Sequence, residues 1–202
     1  QCLRGVVPVE SVRVILDLGS RDLKESLELS RLYPEARVFA FECHPLSIAR
    51  CRQNAVEGNK VEVVPLAVHN TNGPVDFFPI DLRHNGNIGA SSLLQASGKY
   101  DAIEWYPQGR IKVQATRLDT WCRERGIHRV DLLWMDLQGA ELSALNGLGQ
   151  LLQTVQAIHT EVEHQEIYSG QVLFPVLNAY LNEAGFALLE NREEVPGWYG
   201  DA

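Results

Sequence analysis

The sequence predicts an α/β protein with a mostly parallel central sheet and helices on both faces. Three observations predict it. Short apolar runs alternate with longer helical patterns from end to end. The apolar runs finish on acids or glycine, which is where open parallel sheets place their ligands. The 202 residues suit one sizeable core, expected as a single domain over 1–202 with an insertion at about 70–112.

The elements follow in order. SVRVILDL reads as a buried strand running into Gly19. DLKESLELSRLYP has Leu23, Leu27, Leu29 and Leu32 at near-helical spacing and stops near Pro34. RVFAFE is a second strand. Pro45 suits the first turn of a helix that LSIARCRQNAV continues. KVEVVPLAV is a third strand, with Pro65 marking an irregularity or an edge. The segment from about 70 to 112 holds PVDFFPI, the loop-rich NGNIGASS and KYDAIEWYPQG, and a long loop of this kind is more often functional than idle. RIKVQATRLD leads from a strand into the short helix DTWCRERG, whose continuation WCRERGIHR reads as a solvated face. VDLLWMDL is a buried strand, and GAELSALNGLGQLL is a helix. VQAIHTEV is a further strand, QVLFPVLNAYLNEAG a helix closed by Gly185, and FALLE a last strand. A final antiparallel strand is expected to begin at GDA, at the end of the tail GWYGDA.

Composition excludes some classes. The net charge of -8 argues against a general nucleic-acid binder, which shows a basic face. No apolar run reaches the length of a membrane span, and QCLRGVVPVE lacks a signal-peptide pattern. Cys2, Cys43, Cys51 and Cys122 show no metal spacing, so free thiols in a reducing, cytoplasmic setting are expected. Nothing in the sequence sets an oligomeric state.

The strand ends carry the chemistry. Gly19 lets backbone come close to a ligand, and Asp17 can anchor the following turn or meet a positive charge. Glu42, more than 20 residues on at the second strand end, suits a bidentate hold on ribose hydroxyls. A dinucleotide needs a G-x-G-x-x-G turn, whereas this turn reads GSRDLK and brings Asp22 and Glu25 near the phosphates. That disfavours a nicotinamide or flavin dinucleotide. S-adenosylmethionine has a ribose, no phosphate and a cationic sulfur that suits an acidic cleft. The first turn is expected to meet it with Asp17, Gly19, Ser20 and Arg21. The second strand end adds Glu42, Cys43 and His44, the third Ala67 and the fourth Asp136.

ILDLGSRD, VFAFECHP, LLWMDLQGAELSALNGL and HTEVEHQEIYSGQVLF together resemble the FkbM family of S-adenosylmethionine-dependent methyltransferases, over roughly 12–202. The resemblance implies the Rossmann-like class I methyltransferase fold. Two positions depart from the family pattern K-I-D-V-E-G-x-E: Trp134 stands for the usual Lys and Gln138 for the usual second acid. The resemblance implies O-methylation of a sugar or glycosylated small molecule. The alternatives are another acceptor, or cofactor binding without turnover.

A hydroxyl acceptor needs a general base or a metal that lowers its pKa. Asp136, Glu161 and His164 lie at or just past strand ends and are the catalytic candidates. The same three are the candidate ligands should a divalent cation such as Mg²⁺ take part. Glu141 suits a helix N-terminus or the site, and His69 adenine-side packing or a loop. In the insertion, Ser91 and Ser92 offer hydroxyls for acceptor selection, and Trp105 and Tyr106 are either sugar-stacking or packing residues. Tyr168 is placed to close over the pocket.

Overall fold

The computed structural model describes residues 5–55 and 60–202. Cys2 and Val56, which the sequence reading used, lie outside the described residues. Ten strands and five α-helices are assigned among them. The first part runs β1 (Val14–Leu18), α1 (Lys24–Leu32), β2 (Arg37–Phe41), α2 (Pro45–Asn54), β3 (Val61–Val64) and β4 (Ala67–Val68). The middle has β5 (Gly73–Phe77), β6 (Ile111–Thr116) and α3 (Leu118–Glu124). The last part has β7 (Leu132–Met135), α4 (Glu141–Leu148), β8 (Ala157–Glu163), α5 (Phe174–Glu183), β9 (Arg192–Val195) and β10 (Tyr199–Asp201).

The main sheet has seven strands in the order β3-β2-β1-β7-β8-β10-β9. From β3 to β8 every neighbour is parallel, and β10 is antiparallel to both β8 and β9. Counted within this sheet alone, the order is 3-2-1-4-5-7-6, a Rossmann-like class I methyltransferase arrangement. The order reverses at β1, which has β2 on one side and β7 on the other. Strand ends part there and leave a crevice.

The period of two sends alternate residues to opposite faces. Leu16, Leu18, Phe39, Phe41, Leu133 and Met135 pack against α3 and α4. Ile15, Val38 and Leu132 meet Leu29 and Tyr33 on the α1 side, and Ala40 meets Leu23 and Cys51. Trp121 of α3 drives edge-on into Phe39 and Phe41, with ring centroids 4.9 Å from each.

Four details differ from the sequence reading. Pro65 ends β3, and the chain then leaves the main sheet, so β4 joins β6 and β5 in a separate three-stranded sheet. The helix expected over 139–152 ends at Leu148, because Gly149 takes a positive φ of 57° and the chain continues as a 3-10 turn, Gly149–Thr154. FALLE forms no strand; the free edge of β8 is taken by β10, and Leu188 and Leu189 stay exposed. The final antiparallel strand, expected from GDA, begins one residue earlier and spans Tyr199–Asp201. The face read in WCRERGIHR is solvated only in part: Trp121 and Cys122 are buried, and the Arg125 guanidinium covers the Trp121 ring at 4.2 Å.

The segment between β5 and β6 lies over the carboxyl ends of the strands. Isolated bridges tie Phe78 to Ser92, Ile80 to Gln108 and Ala96 to Tyr168. Ile80, Ala90, Tyr100, Tyr106, Ile167 and Tyr168 form its own small apolar cluster. Among the described residues no helix is long and apolar enough to cross a membrane.

Candidate active site

The crevice at the β1 switch point is a cleft walled by the first turn, the β2 end, β4 and the segment above. Gly19 turns the chain out of β1 with φ 92°, and a Cβ there would overlap the Asp136 carbonyl oxygen. The close approach that demands glycine is thus to the protein's own backbone, with the cleft on the other side.

Asp17 is 1% exposed and anchors that turn. One of its oxygens accepts from the Ser20 hydroxyl at 2.6 Å and from the Ser26 hydroxyl. Burial pushes its carboxyl up to about 7, against those two hydrogen bonds. Of the two roles open to Asp17, the structure shows the anchor. Neither Asp17 nor Ser20 lines the cleft, which corrects the expectation of direct ligand contact for these two. Arg21 does line it, in a left-handed conformation with φ 42°. Its side chain lies against Gly89 of the overlying segment, where a Cβ would stand 3.3 Å from Arg21 Cδ and Nη1.

Glu42 is the most constrained acid of the cleft. One oxygen accepts from the amides of Cys43 and His44, both at 2.7 Å, and the other from the Arg21 amide at 2.9 Å. Burial raises its pKa and the three amides oppose that. His44 Nδ1 accepts from the Leu46 amide at 3.1 Å and so caps α2, while its ring meets Phe77 edge-on. Burial lowers the His44 pKa, keeping the imidazole neutral. Cys43 lines the cleft as a free thiol that burial pushes up. Ala67 lines it as expected, whereas His69 sits in a loop, bonded to Thr71 at 2.9 Å.

Asp136 closes the cleft floor. It stays open toward the cleft, with protein packed behind it. Parallel register pairs Met135 with Thr160, so the next step along both strands brings Asp136 beside Glu161. These carboxyls hydrogen-bond to each other, and both have raised pKa values. Burial is the first cause in each; Asp136's charge is the next for Glu161, while hydrogen bonds from Gln138 and Glu161 restrain Asp136. Glu141 and Glu163 stand behind them. Glu141 accepts from the Leu137 amide at 2.8 Å, steadying the loop at the α4 N-terminus, and burial lifts it to about 7. Glu163 is 2% exposed and raised by burial and by Glu141. The sequence places Glu163 at the same strand end without giving it a role; it lies two residues beyond Glu161 on the same strand face.

His164 is not brought to this pair. One residue past Glu163, it turns to the other face, where its ring packs 5.3 Å from Phe174 of α5. The expected trio Asp136, Glu161 and His164 is therefore not assembled. Among the described residues no group of three or more His, Cys, Asp or Glu side chains could hold a metal ion. Between Asp136 and Glu161 stands the Gln138 amide nitrogen, donating to Asp136 at 2.7 Å and to Glu161. The donor set does not fit a divalent cation. Trp134, the other departure from the family pattern, lies away from the cleft with its ring on His159, centroids 3.7 Å apart.

The overlying segment also differs from expectation. The Ser91 hydroxyl donates to Ile88 O and accepts from the Ile80 amide. Ser92 donates to Gln138 O at 2.8 Å and accepts from the Leu94 amide. Both hydroxyls are committed to backbone and fasten the segment in place. Tyr106 is packed against Tyr168, centroids 6.1 Å apart, while Trp105 is 53% exposed beside His84. Tyr168 is a buried strut, its hydroxyl between Ala90 O and Gln138 Oε1. Ile88 and Leu93, not singled out from the sequence, join the cleft wall beside Gly89.

The residues fit S-adenosylmethionine. Apolar walls from Phe41, Ala67, Val68 and Phe77 face an acid held by three amides, and Asp136 lies on the floor.

Residues 20–188 match the family model described as the methyltransferase FkbM domain. A relative in Sinorhizobium fredii (strain NBRC 101917 / NGR234), the 2-O-methyltransferase NoeI, is 36% identical over 166 residues, covering 79% of this chain and 67% of that protein. Methyltransferase sdnD of Sordaria araneosa is 28% identical over 204 residues, covering 89% of this chain and 76% of its own. Among solved structures, the precorrin-6y C5,15-methyltransferase of Geobacter metallireducens GS-15 aligns at 15% identity with a TM-score of 0.41. That alignment covers 87% of this chain and 65% of that one.

Proposed function

The chain belongs to the FkbM methyltransferase family, and we propose that it moves the methyl group of S-adenosylmethionine onto a hydroxyl of a sugar or glycosylated small molecule. Transfer to oxygen is supported by the relative whose name gives it as a 2-O-methyltransferase. The observation that carries the reading is Asp136 on the cleft floor, with Glu161 joined to it from behind through the Gln138 amide.

S-adenosylmethionine supplies, when bound, a methyl group on a positively charged sulfur. Glu42, with three amides fixing its plane, receives a ribose hydroxyl through its one remaining acceptor position. Gly19 and Arg21 border the amino-acid end. Asp136 takes the proton from the acceptor hydroxyl as the new C–O bond forms. Burial and the charge of Asp136 both push the Glu161 pKa up, which favours one negative charge on the pair rather than two. The segment over the cleft excludes water and aligns the acceptor, and alignment alone can supply about 7–11 kcal/mol of barrier lowering. Trp105, exposed at the segment's edge, offers a ring face to a sugar.

The test is calorimetric titration with S-adenosylhomocysteine beside NADH, followed by transfer of labelled methyl to a panel of sugars and glycosides. Binding of S-adenosylhomocysteine alone is expected. Asp136→Asn should keep that binding and lower kcat by about 10²- to 10⁴-fold. A folded protein that binds no S-adenosylhomocysteine, or full turnover by Asp136→Asn, would overturn the reading.

A further inference from the structure

Gln138 has a backbone that an L-residue rarely adopts, with φ 53°. That turn carries its side chain back between the ends of β7 and β8. Every polar atom of the amide is engaged there. Nε2 donates to Asp136 Oδ1 at 2.7 Å and to Glu161 Oε2, and Oε1 faces the Tyr168 hydroxyl at 2.7 Å. The residue's own carbonyl accepts from Ser92 at 2.8 Å. The amide orientation is set from both ends. Two carboxyl oxygens need donors on one side, and on the other the Tyr168 hydroxyl lies between Gln138 Oε1 and the Ala90 carbonyl.

The surroundings explain why a neutral donor belongs here. Asp136 and Glu141 approach from the β7–α4 turn, Glu161 and Glu163 from β8, and Asp201 from β10, while Arg21 is the cation acting on Asp136. Carboxyls this close repel one another unless a proton, a cation or N–H donors lie between them.

We propose that Gln138 is a positioning residue that occupies the place of a divalent cation: its two N–H groups bridge Asp136 and Glu161 and hold Asp136 toward the cleft. This rests on the methyltransferase reading. It implies that the wild-type pair takes up no metal, and that removing the donors exposes a cation-seeking acid set. In Gln138→Glu a third carboxyl of the same shape meets Asp136 and Glu161, giving an all-oxygen site.

The experiment titrates Mn²⁺ alone into wild type, Gln138→Glu and the double variant Gln138→Glu/Asp136→Asn, read by electron paramagnetic resonance and calorimetry. Each protein is also titrated with S-adenosylhomocysteine, with and without EDTA. Wild type should show no saturable Mn²⁺ signal and an S-adenosylhomocysteine affinity that EDTA leaves unchanged. Gln138→Glu should show saturable Mn²⁺ binding where wild type shows none. The double variant should lose that gain. Saturable Mn²⁺ binding by wild type, abolished by Asp136→Asn, would overturn the proposal, as would a Gln138→Glu protein that binds S-adenosylhomocysteine yet gains no metal. Failure of wild type to bind S-adenosylhomocysteine would instead remove the methyltransferase reading on which the proposal stands.

Discussion

Glu42 shows how single residues are tuned in this molecule. A carboxylate has about four acceptor positions, and three amides take three of them. What remains is one aimed acceptor that loses little freedom on binding. A hydrogen bond to a charged group contributes about 1.5–3 kcal/mol, so Glu42→Ala should weaken S-adenosylhomocysteine binding by about tenfold to a hundredfold in calorimetry. The family pattern made Glu42 and Asp136 readable in the sequence. It did not reveal that Ser91 and Ser92 give their hydroxyls to backbone, or that His164 turns away from Glu161. Those outcomes depend on which neighbours arrive and on where strand alternation sends a side chain, and a residue type carries neither.

At the scale of elements, α3 wedges the sheet. Its indole meets two phenylalanines from one strand face, Phe39 and Phe41, and is itself roofed by Arg125. Phe41 also lines the cleft, so this packing reaches the site. Trp121→Ala should cost about 3–5 kcal/mol. It should lower Tm by about 10 °C in a thermal scan. The helix itself was legible as DTWCRERG. Its buried side was not, because seven residues, Leu118–Glu124, make too few turns for an amphipathic stripe to stand out. The failed strand FALLE teaches the same lesson from the other direction: an apolar run becomes a strand only where an edge is free to pair.

At the scale of the whole molecule, buried acids set a pH response. Asp17 keeps its proton to about 7 in the folded chain, against 3.8 ordinarily, and Glu141 to about 7 against 4.5. Between these values the folded state binds protons that the unfolded state has released. Their contribution to stability is therefore full below pH 4 and is lost as pH rises through 7. Tm should fall from pH 5.5 to pH 8 in the unliganded protein, at roughly 2–4 °C per kcal/mol lost. Asp17→Asn should make that fall shallower. An unchanged slope in the variant would show that Asp17 is not the group responsible.

The sequence by itself determined the alternation of strands and helices, the acids at the strand ends and the family, because these rest on periodicity and on short motifs. Pro65 as a break, Pro45 as a helix start and Gly185 as a helix stop were equally local. Only the tertiary structure decided that Gly19 makes room for the Asp136 carbonyl, and that Glu163 joins the acid set. It alone brought Gln138 between two carboxyls more than twenty residues apart from each other in the chain. Such contacts arise when parallel strands from distant segments end side by side, and the register that aligns them is set by the packing of the whole sheet.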